Sequence, residues 1–329
     1  MVGTMFNLID LIEICKGHRV YIQTHNFPDA DAIASAFALS ELLKNYKIDT
    51  IICSSGQIDR LSAENLINLT NIQMYTEEML EGYMTETDYI ICVDSQKHGG
   101  NIVDFIGDEI ACIDHHPTFK TVNYKWSQIE IVGACSTLIV EHFQKLNIEP
   151  TTVCATALLY GIKMDTMHFT RGVTVRDVDA FRYLFERADV DSLRLLETNT
   201  LESKDLQAYG CAIENIQIYN RVGFAKIPFA CPDGLIASLS DFILSLEEVD
   251  VAIIYSKRPN GLKFSIRSLL SKVNAGVLAN TTLSKVGNGG GHASMAGGFI
   301  PVENYYKLGA YPDVALVNMF MEVINKMRR

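Results

Sequence analysis

The sequence predicts an α/β protein: a doubly wound domain built on a parallel sheet, followed by a smaller α/β domain. Three observations predict it. Short β-branched and aromatic runs such as "HRVYIQTH", "DTIICS" and "DYIICVD" alternate with stretches of helical periodicity. The centres of those runs, "VYI", "IIC" and "YIICV", are apolar, as in strands covered on both faces. The chain has 329 residues, 48% of them apolar, which on length alone suggests about two domains with ordinary cores.

The elements follow in order. "MFNLIDLIEICKGH", Met5 to His18, has amphipathic spacing and predicts a docked N-terminal helix. "HRVYIQTH" is the first strand and ends at His25. Pro28 marks a turn, and "DAIASAFALSELLKNY" follows with helical periodicity and Asp31 near its start. "DTIICS" is the second strand, "DYIICVD" the third, ending at Asp94, and "EIACIDHH" the fourth, ending at Asp114, His115 and His116. From Cys135 to Met164 the pattern is helical, in two segments broken at Asn147 to Pro150, with Asp165 following the second. "TVRDVDAFRYLFERA" is another helix, and the polar stretch from Leu195 to Tyr219 reads as the connection. The second domain then offers "GFAKIPF", "VDVAIIYS" and "LKFSIRS" as strands, the last two joined in a hairpin by "KRPNG". A glycine-rich loop, "GNGGGHASMAGGFI", and an amphipathic helix, "VALVNMFMEVINKM", close the chain. The expected boundaries are 1–195 for the first domain, 196–216 for the connection and 217–329 for the second. The active site is expected in the cleft between the two domains.

Bulk properties narrow the function. The net charge is −11, from 28 basic against 39 acidic residues. That excludes the basic face of a protein that tracks long nucleic acid, and an anionic substrate should be a short one. The eight cysteines form no CxxC pair and sit mostly in apolar runs. They read as buried free thiols in a reducing compartment. No signal peptide opens the chain, and no apolar run reaches the roughly 18 residues of a membrane span. The expectation is a cytoplasmic protein without a membrane partner. The apolar N-terminal segment and the Met-rich C-terminal helix are candidate surfaces for a homodimer.

The informative residues are His25, Asp29, Asp31, Asp94, Asp114, His115, His116 and Asp165. Each alone has a plain account. Asp29 and Asp31 could be helix N-terminal acids, worth about 0.3–1 kcal/mol, and His115 could be a core histidine. Taken together, they end strands or helices on one edge of a predicted sheet, where open α/β folds bind ligands. Converging carboxylates repel and raise one another's pKa values unless cations become the largest local charges. Oxygen and imidazole donors without thiolate favour Mn²⁺ or Mg²⁺, with Zn²⁺, Co²⁺ or Fe²⁺ as alternatives. A pair of metals would suit in-line displacement at phosphorus.

"HNFPDADAIAS", "VDS", "DHHP" and "GIKMDT" resemble, in order, the four motifs of the DHH phosphoesterase superfamily, and "GNGGGHASMAGG" resembles the signature of its DHHA1 accessory domain. The plan is similar to stand-alone nanoRNase and pAp-phosphatase enzymes and to phosphodiesterases acting on cyclic dinucleotides. The resemblance implies that His25 and Asp29 hold one metal and Asp31, His115 and Asp165 the other. Asp94 would bridge both. It implies His116 as donor or general acid at the scissile phosphate and Asp114 as the group orienting the histidine pair. Arg267 and the stretch Gly289, Gly290, Gly291 and His292 would bind substrate. The implied activity is manganese-dependent hydrolysis of short RNA or linear dinucleotides, such as pApA or pGpG, to 5′-mononucleotides. The same site could serve a pAp 3′-phosphatase or a cyclic-dinucleotide phosphodiesterase. Two motifs depart from the family's pattern. Ala293, Ser294 and Met295 stand where a basic residue and two alanines are common, and Met167 and His168 follow "DT" where a glycine is frequent.

Overall fold

The computed structural model describes residues 7–56, 58, 61–118, 120–198 and 201–329. Met5 and Phe6 of the expected N-terminal helix, and Asn199 and Thr200 of the expected connection, lie outside the described residues. The chain divides into two compact units, Met1–Thr200 and Leu201–Arg329.

In the first unit α1 (Leu8–Cys15) leads to β1 (Val20–Gln23), α2 (Ala30–Lys44), β2 (Thr50–Cys53), α3 (Leu61–Thr70) and β3 (Met74–Tyr75). A short α4 (Glu77–Leu80) precedes β4 (Tyr89–Val93), β5 (Asp108–Asp114) and β6 (Trp126–Ile129). Helices α5 (Cys135–Leu146), α6 (Thr152–Asp165), α7 (Val175–Phe185) and α8 (Val190–Thr198) complete it. The six strands form one sheet in the order β3-β2-β1-β4-β5-β6, and every neighbouring pair is parallel. The chain works outward from β1 to β3, then returns to β4 on the other side of β1. The switch point therefore lies between β1 and β4, where such sheets leave a crevice at their carboxyl ends.

Alternation along the strands explains why their centres read as apolar. Val20, Ile22, Ile91, Val93, Ala111 and Ile113 face the larger core, shared with α1, α2, α5 and α6. Their neighbours Tyr21, Ile90, Cys92 and Cys112 face a smaller core covered by Leu80, Met84 and Phe105. Helix α2 is buried over most of its circumference and packs on α5 and α6. That approach is close at Gly161 of α6. A Cβ there would lie 2.6 Å from Ser136 Oγ and 3.1 Å from Asp31 Oδ1. Asn147 in the left-handed conformation (φ 53°) ends α5, and the Thr151 side chain caps α6, which accounts for the expected break. Asp165 is the last residue of α6 rather than a residue beyond it. All eight cysteines are free, and only Cys211 is not fully buried.

The second unit holds α9 (Leu206–Asn215), β7 (Gln217–Tyr219), β8 (Val222–Ile227), α10 (Asp233–Leu244), β9 (Val251–Arg258) and β10 (Gly261–Ser268). Then come α11 (Ala275–Leu283), β11 (Asn288–Gly291), β12 (Met295–Pro301) and α12 (Pro312–Arg328). Its strands run β11-β12-β10-β9-β8-β7. The β8–β9 pair is parallel and the others are antiparallel. The hairpin at "KRPNG" is present, with Arg258 paired to Gly261. The glycine-rich stretch, expected as a loop, is a strand: Gly289, Gly290 and Gly291 pair with Gly298, Gly297 and Ala296. The cause is close packing of α11. A Cβ on Gly276 would lie 2.1 Å from Gly291 O, one on Gly289 2.8 Å from Ala279 O, and one on Gly298 2.3 Å from Leu283 Cδ1. Only glycine lets this helix and this hairpin approach so closely. Among the described residues, no helix is long and apolar enough to cross a membrane.

Candidate metal centre

The switch point fixes two of the expected residues directly. His25 lies just past the end of β1, and Asp94 just past the end of β4. The His25 Nε2 is 3.6 Å from Asp94 Oδ2 and 3.8 Å from Asp29 Oδ1. Its other ring nitrogen meets Asn26 O at 2.9 Å, which fixes the ring plane. Asp29 is the N-cap of α2, its Oδ1 accepting from Asp31 N and Ala32 N. Asp94 is held in the left-handed region (φ 57°), and its N–H donates to Ile113 O at 2.9 Å. Asparagine and aspartate tolerate that conformation better than most residues. The strand's exit is thereby tied to the neighbouring strand.

The third ligand segment leaves β5. The His115 Nε2 lies 3.2 Å from Asp94 Oδ1 and 3.2 Å from Asp165 Oδ2. Its Nδ1 meets Val132 O at 3.1 Å. Asp31, 1% exposed, caps a helix other than its own. Its Oδ2 accepts from Cys135 N at 2.6 Å and its Oδ1 from Ser136 N at 3.0 Å. Ala134, the N-cap of α5, has no oxygen to offer, and the buried carboxylate takes over that role. Asp114 joins the pair beside it, Oδ1 accepting from His115 N at 2.8 Å and meeting His116 Nδ1 at 2.8 Å. His116 Nδ1 is also 3.7 Å from Asp94 Oδ1.

Among the described residues, three sets of three place donor atoms within 4.8 Å of one another: His25, Asp29 and Asp94; Asp31, His115 and Asp165; and Asp94, His115 and His116. Asp94 and His115 are shared between sets. Burial pushes the Asp31 carboxyl up to about 8, with repulsion from Asp94 and Asp165 adding to it. Burial also lifts Asp165 to about 6, with Asp29 and Asp94 contributing. Burial opposes the charge of Asp94 too, but the imidazoles of His115 and His25 outweigh it and hold Asp94 below the usual range. The reverse applies to His115. Burial opposes its charge, yet Asp94, Asp31 and Asp165 raise it to about 11. Asp29 and Asp94 likewise raise His25 against burial. Two imidazoles thus face four carboxylates and leave Asp31 and Asp165 disfavoured as anions, a repulsion that divalent cations relieve better. The donor set fits such cations. Asp94 Oδ1 and His115 Nε2 face each other at 3.2 Å, buried and without a hydrogen bond, so a cation that displaces the imidazolium proton would find a lone pair on each.

The expected substrate residues lie in the second unit. Arg267, on β10, is 9% exposed. Its Nε donates to Asp241 Oδ1 at 2.6 Å, and Nη1 reaches Ser265 Oγ and Ile266 O, both at 3.2 Å. Gly289 to Gly291 are in the β11–β12 ladder. His292 N donates to Met295 O at 2.7 Å in the turn, and its carbonyl accepts from Gly276 N.

Three groups near the centre escaped the sequence reading. Gln96 Nε2 donates to Asp114 Oδ2 at 2.7 Å and to His116 O at 3.0 Å. Asp177, on α7, takes Gly133 N on both oxygens and the Thr137 and Thr174 hydroxyls. It thereby anchors the segment whose Val132 carbonyl orients His115. Arg171 Nη2 donates to the carbonyl of Asp165 and, at 3.0 Å, to its Oδ1. Spacing hinted at Gln96, two residues after Asp94. Nothing in the sequence singled out Asp177, one acid of a charged amphipathic helix.

Comparison with known proteins bears on this geometry. Residues 19–162 match the DHH family, N-terminal domain, and residues 220–310 match the DHHA1 domain. A cyclic-di-AMP phosphodiesterase, GdpP, of Geobacillus thermodenitrificans is 26% identical over 86% of this chain and 45% of its own. A protein of Clostridium acetobutylicum described as a probable manganese-dependent inorganic pyrophosphatase is 30% identical over 52% of this chain and 56% of its own. The chain therefore spans about half the length of these curated relatives. An exopolyphosphatase-related protein from Bacteroides fragilis has the same fold over 100% of both chains, with a TM-score of 0.79 at 17% identity. A DHH match on the site-bearing unit, a DHHA1 match on the second and a shared fold end to end agree: the chain belongs to the DHH phosphoesterase superfamily.

Proposed function

We propose that the chain is a manganese-dependent phosphodiesterase that hydrolyses short oligoribonucleotides or linear dinucleotides to 5′-mononucleotides. One observation carries the reading: donor sets that share Asp94 and His115, with a buried unpartnered atom on each shared residue. His25 and Asp29 would hold one cation, and Asp31, His115 and Asp165 the other, with Asp94 common to both. When bound, the cations supply Lewis acidity toward a phosphoryl oxygen. The chain's own residues do the rest. Asp114, gripped by Gln96, fixes the ring of His116 through Nδ1. A ring fixed that way can present a proton from its other nitrogen to the leaving oxygen. Arg267, Gly289, Gly290, Gly291 and His292 would bind the substrate's phosphate or base.

The relatives support a small phosphate substrate. The net charge of −11 disfavours one that needs a long basic track. A second reading, a cyclic-dinucleotide phosphodiesterase, draws support from the likeness to GdpP over most of this chain. A third keeps the site for pAp. The test offers purified protein and Mn²⁺ with pApA, pGpG, a 5-mer RNA, pAp, c-di-AMP and c-di-GMP in parallel. Fastest release of mononucleotides from the linear dinucleotides is the expected result. Fastest turnover of c-di-AMP, c-di-GMP or pAp would replace the substrate assignment, and no turnover of any would remove the enzyme reading.

A further inference from the structure

We propose that Arg171 is a positioning residue that dictates which oxygen of Asp165 the metal centre receives. The inference rests on reading that centre as a metal site. Asp165 is the last residue of α6, where carbonyls lack helical partners and a side chain is normally loosely held. Here the chain reverses at once. Met167, His168 and Phe169 all adopt left-handed backbone, with φ of 47°, 54° and 66°. Three consecutive non-glycine residues in that region are unfavourable for L-amino acids and persist only where the surroundings impose them.

The surroundings are visible. His168 N donates to Lys163 O at 2.7 Å, and Thr170 N and Arg171 N both donate to Thr166 O at 2.9 Å. Phe169 N donates to Thr166 Oγ1 at 3.1 Å, and that hydroxyl donates to Ile162 O at 2.6 Å. The Phe169 ring meets Phe181 edge-on, centroids 5.0 Å apart. The result is a turn that brings residue 171 back onto residue 165.

The guanidinium then divides the carboxylate. Arg171 Nη2 holds the main-chain oxygen of Asp165 and its Oδ1. Oδ2 is the oxygen that lies 3.2 Å from His115 Nε2. An Asp165 held at Oδ1 and at its own carbonyl cannot turn both oxygens toward one cation. A lysine replaces the rigid planar guanidinium, whose Nη2 reaches both oxygens, with a mobile point charge and would hold them less directionally.

Two effects oppose each other, and they give the test its sign. A guanidinium beside a ligand repels a cation, so deleting it as a mere charge would tighten metal binding. Deleting it as a positioning group would loosen binding. The experiment is calorimetric titration of Mn²⁺ into the wild-type chain, Arg171→Lys and Arg171→Ala, with metal-free thermal melts alongside. The expected result is weaker Mn²⁺ binding, about 10- to 100-fold in Arg171→Ala, the usual cost of removing a group that orients a ligand. Arg171→Lys should fall between wild type and alanine, with a metal-free melting temperature close to wild type. Unchanged or tighter Mn²⁺ binding in both variants would overturn the proposal while leaving the metal site intact. A wild-type chain that binds no Mn²⁺ would overturn the metal reading itself, and this proposal with it.

Discussion

Two regions of the molecule carry the family's motifs, and they differ in how much of each motif the fold itself explains. At the carboxyl edge of the first sheet, conformation and packing account for where the groups stand, but not for what they are. Asp31 caps α5, yet a neutral oxygen would do that with less repulsion from Asp94 and Asp165. Asp94 and His115 keep unpartnered atoms in a buried place. In the β11–β12 hairpin the balance reverses. Gly289, Gly291 and Gly298 are each required by the close approach of backbone or side chain, before any ligand is considered. A motif points to chemistry most strongly where packing leaves its polar atoms unexplained.

The largest expected effect tests that asymmetry at its strong end. Asp94→Asn keeps the shape but halves the oxygen donor capacity of the residue common to two of the donor sets. Losing about 4 kcal/mol of transition-state stabilisation would cut turnover on the order of 10³-fold. Circular dichroism should stay native-like. Turnover within tenfold of wild type on the preferred substrate would mean that the unpartnered atoms do not mark the reaction centre.

The next effect tests the hairpin. Gly276→Ala would put a Cβ 2.1 Å from Gly291 O, a backbone atom that cannot swing aside. Overpacking of this kind costs about 1–3 kcal/mol, read as a lower denaturant midpoint. Mn²⁺ affinity should not change, because no candidate ligand lies in the second unit. A change in Mn²⁺ affinity would show that the two regions are coupled.

His142 supplies a control within the first unit. It is 1% exposed, and its Nε2, like that of His115, is buried without a hydrogen-bond partner. Its neighbours are Trp126 and, by charge, Lys145 and Glu130, and burial, with Lys145, drives it down to about 3 against the pull of Glu130. An unpartnered nitrogen alone therefore does not mark a candidate ligand; His115 differs in lying 3.2 Å from two carboxylates. The folded chain keeps this imidazole neutral while the unfolded chain protonates it below its ordinary value near 6.5. Stability is complete above that pH and declines as pH falls toward 3. At pH 5 the cost is about 2 kcal/mol relative to pH 7. His142→Leu should flatten that part of the stability–pH curve in urea melts. An unchanged slope would assign the acid sensitivity elsewhere.

Much of this was legible in the sequence, for physical reasons. Strand ends at His25, Asp94 and Asp114 could be read because a buried parallel strand is an apolar run and a charged residue must stop it. The glycine stretch was misread because glycine signals both freedom and close approach, and only the position of α11 separates the two. The edge strands β3 and β6 escaped notice because Met74–Tyr75 is two residues long and Trp126–Ile129 has two adjacent polar residues, Ser127 and Gln128, at its centre. The supports of the centre were the least legible. Gln96, Asp177 and Arg171 act through side-chain hydrogen bonds to groups that come close only in the folded chain, the one to Gly133 spanning 44 residues of sequence.

The smallest expected effect is also the one that could reopen the hairpin as a functional element. Gly290 alternates with Gly289 and Gly291 along β11, and a Cβ there would meet nothing within 4 Å. Its φ is not in the left-handed range either, so the fold gives no reason for glycine at this position. Gly290→Ala should therefore change stability by about 0.5 kcal/mol or less. If the hairpin merely carries α11, KM and kcat will match wild type. If a substrate's phosphate or base lies against this strand, as proposed, the added methyl group will raise KM several-fold at unchanged stability. Gly276→Ala cannot show this, because its folding defect would mask any effect on binding. Gly290 is thus the position where the proposed substrate role can be separated from the demonstrated packing role.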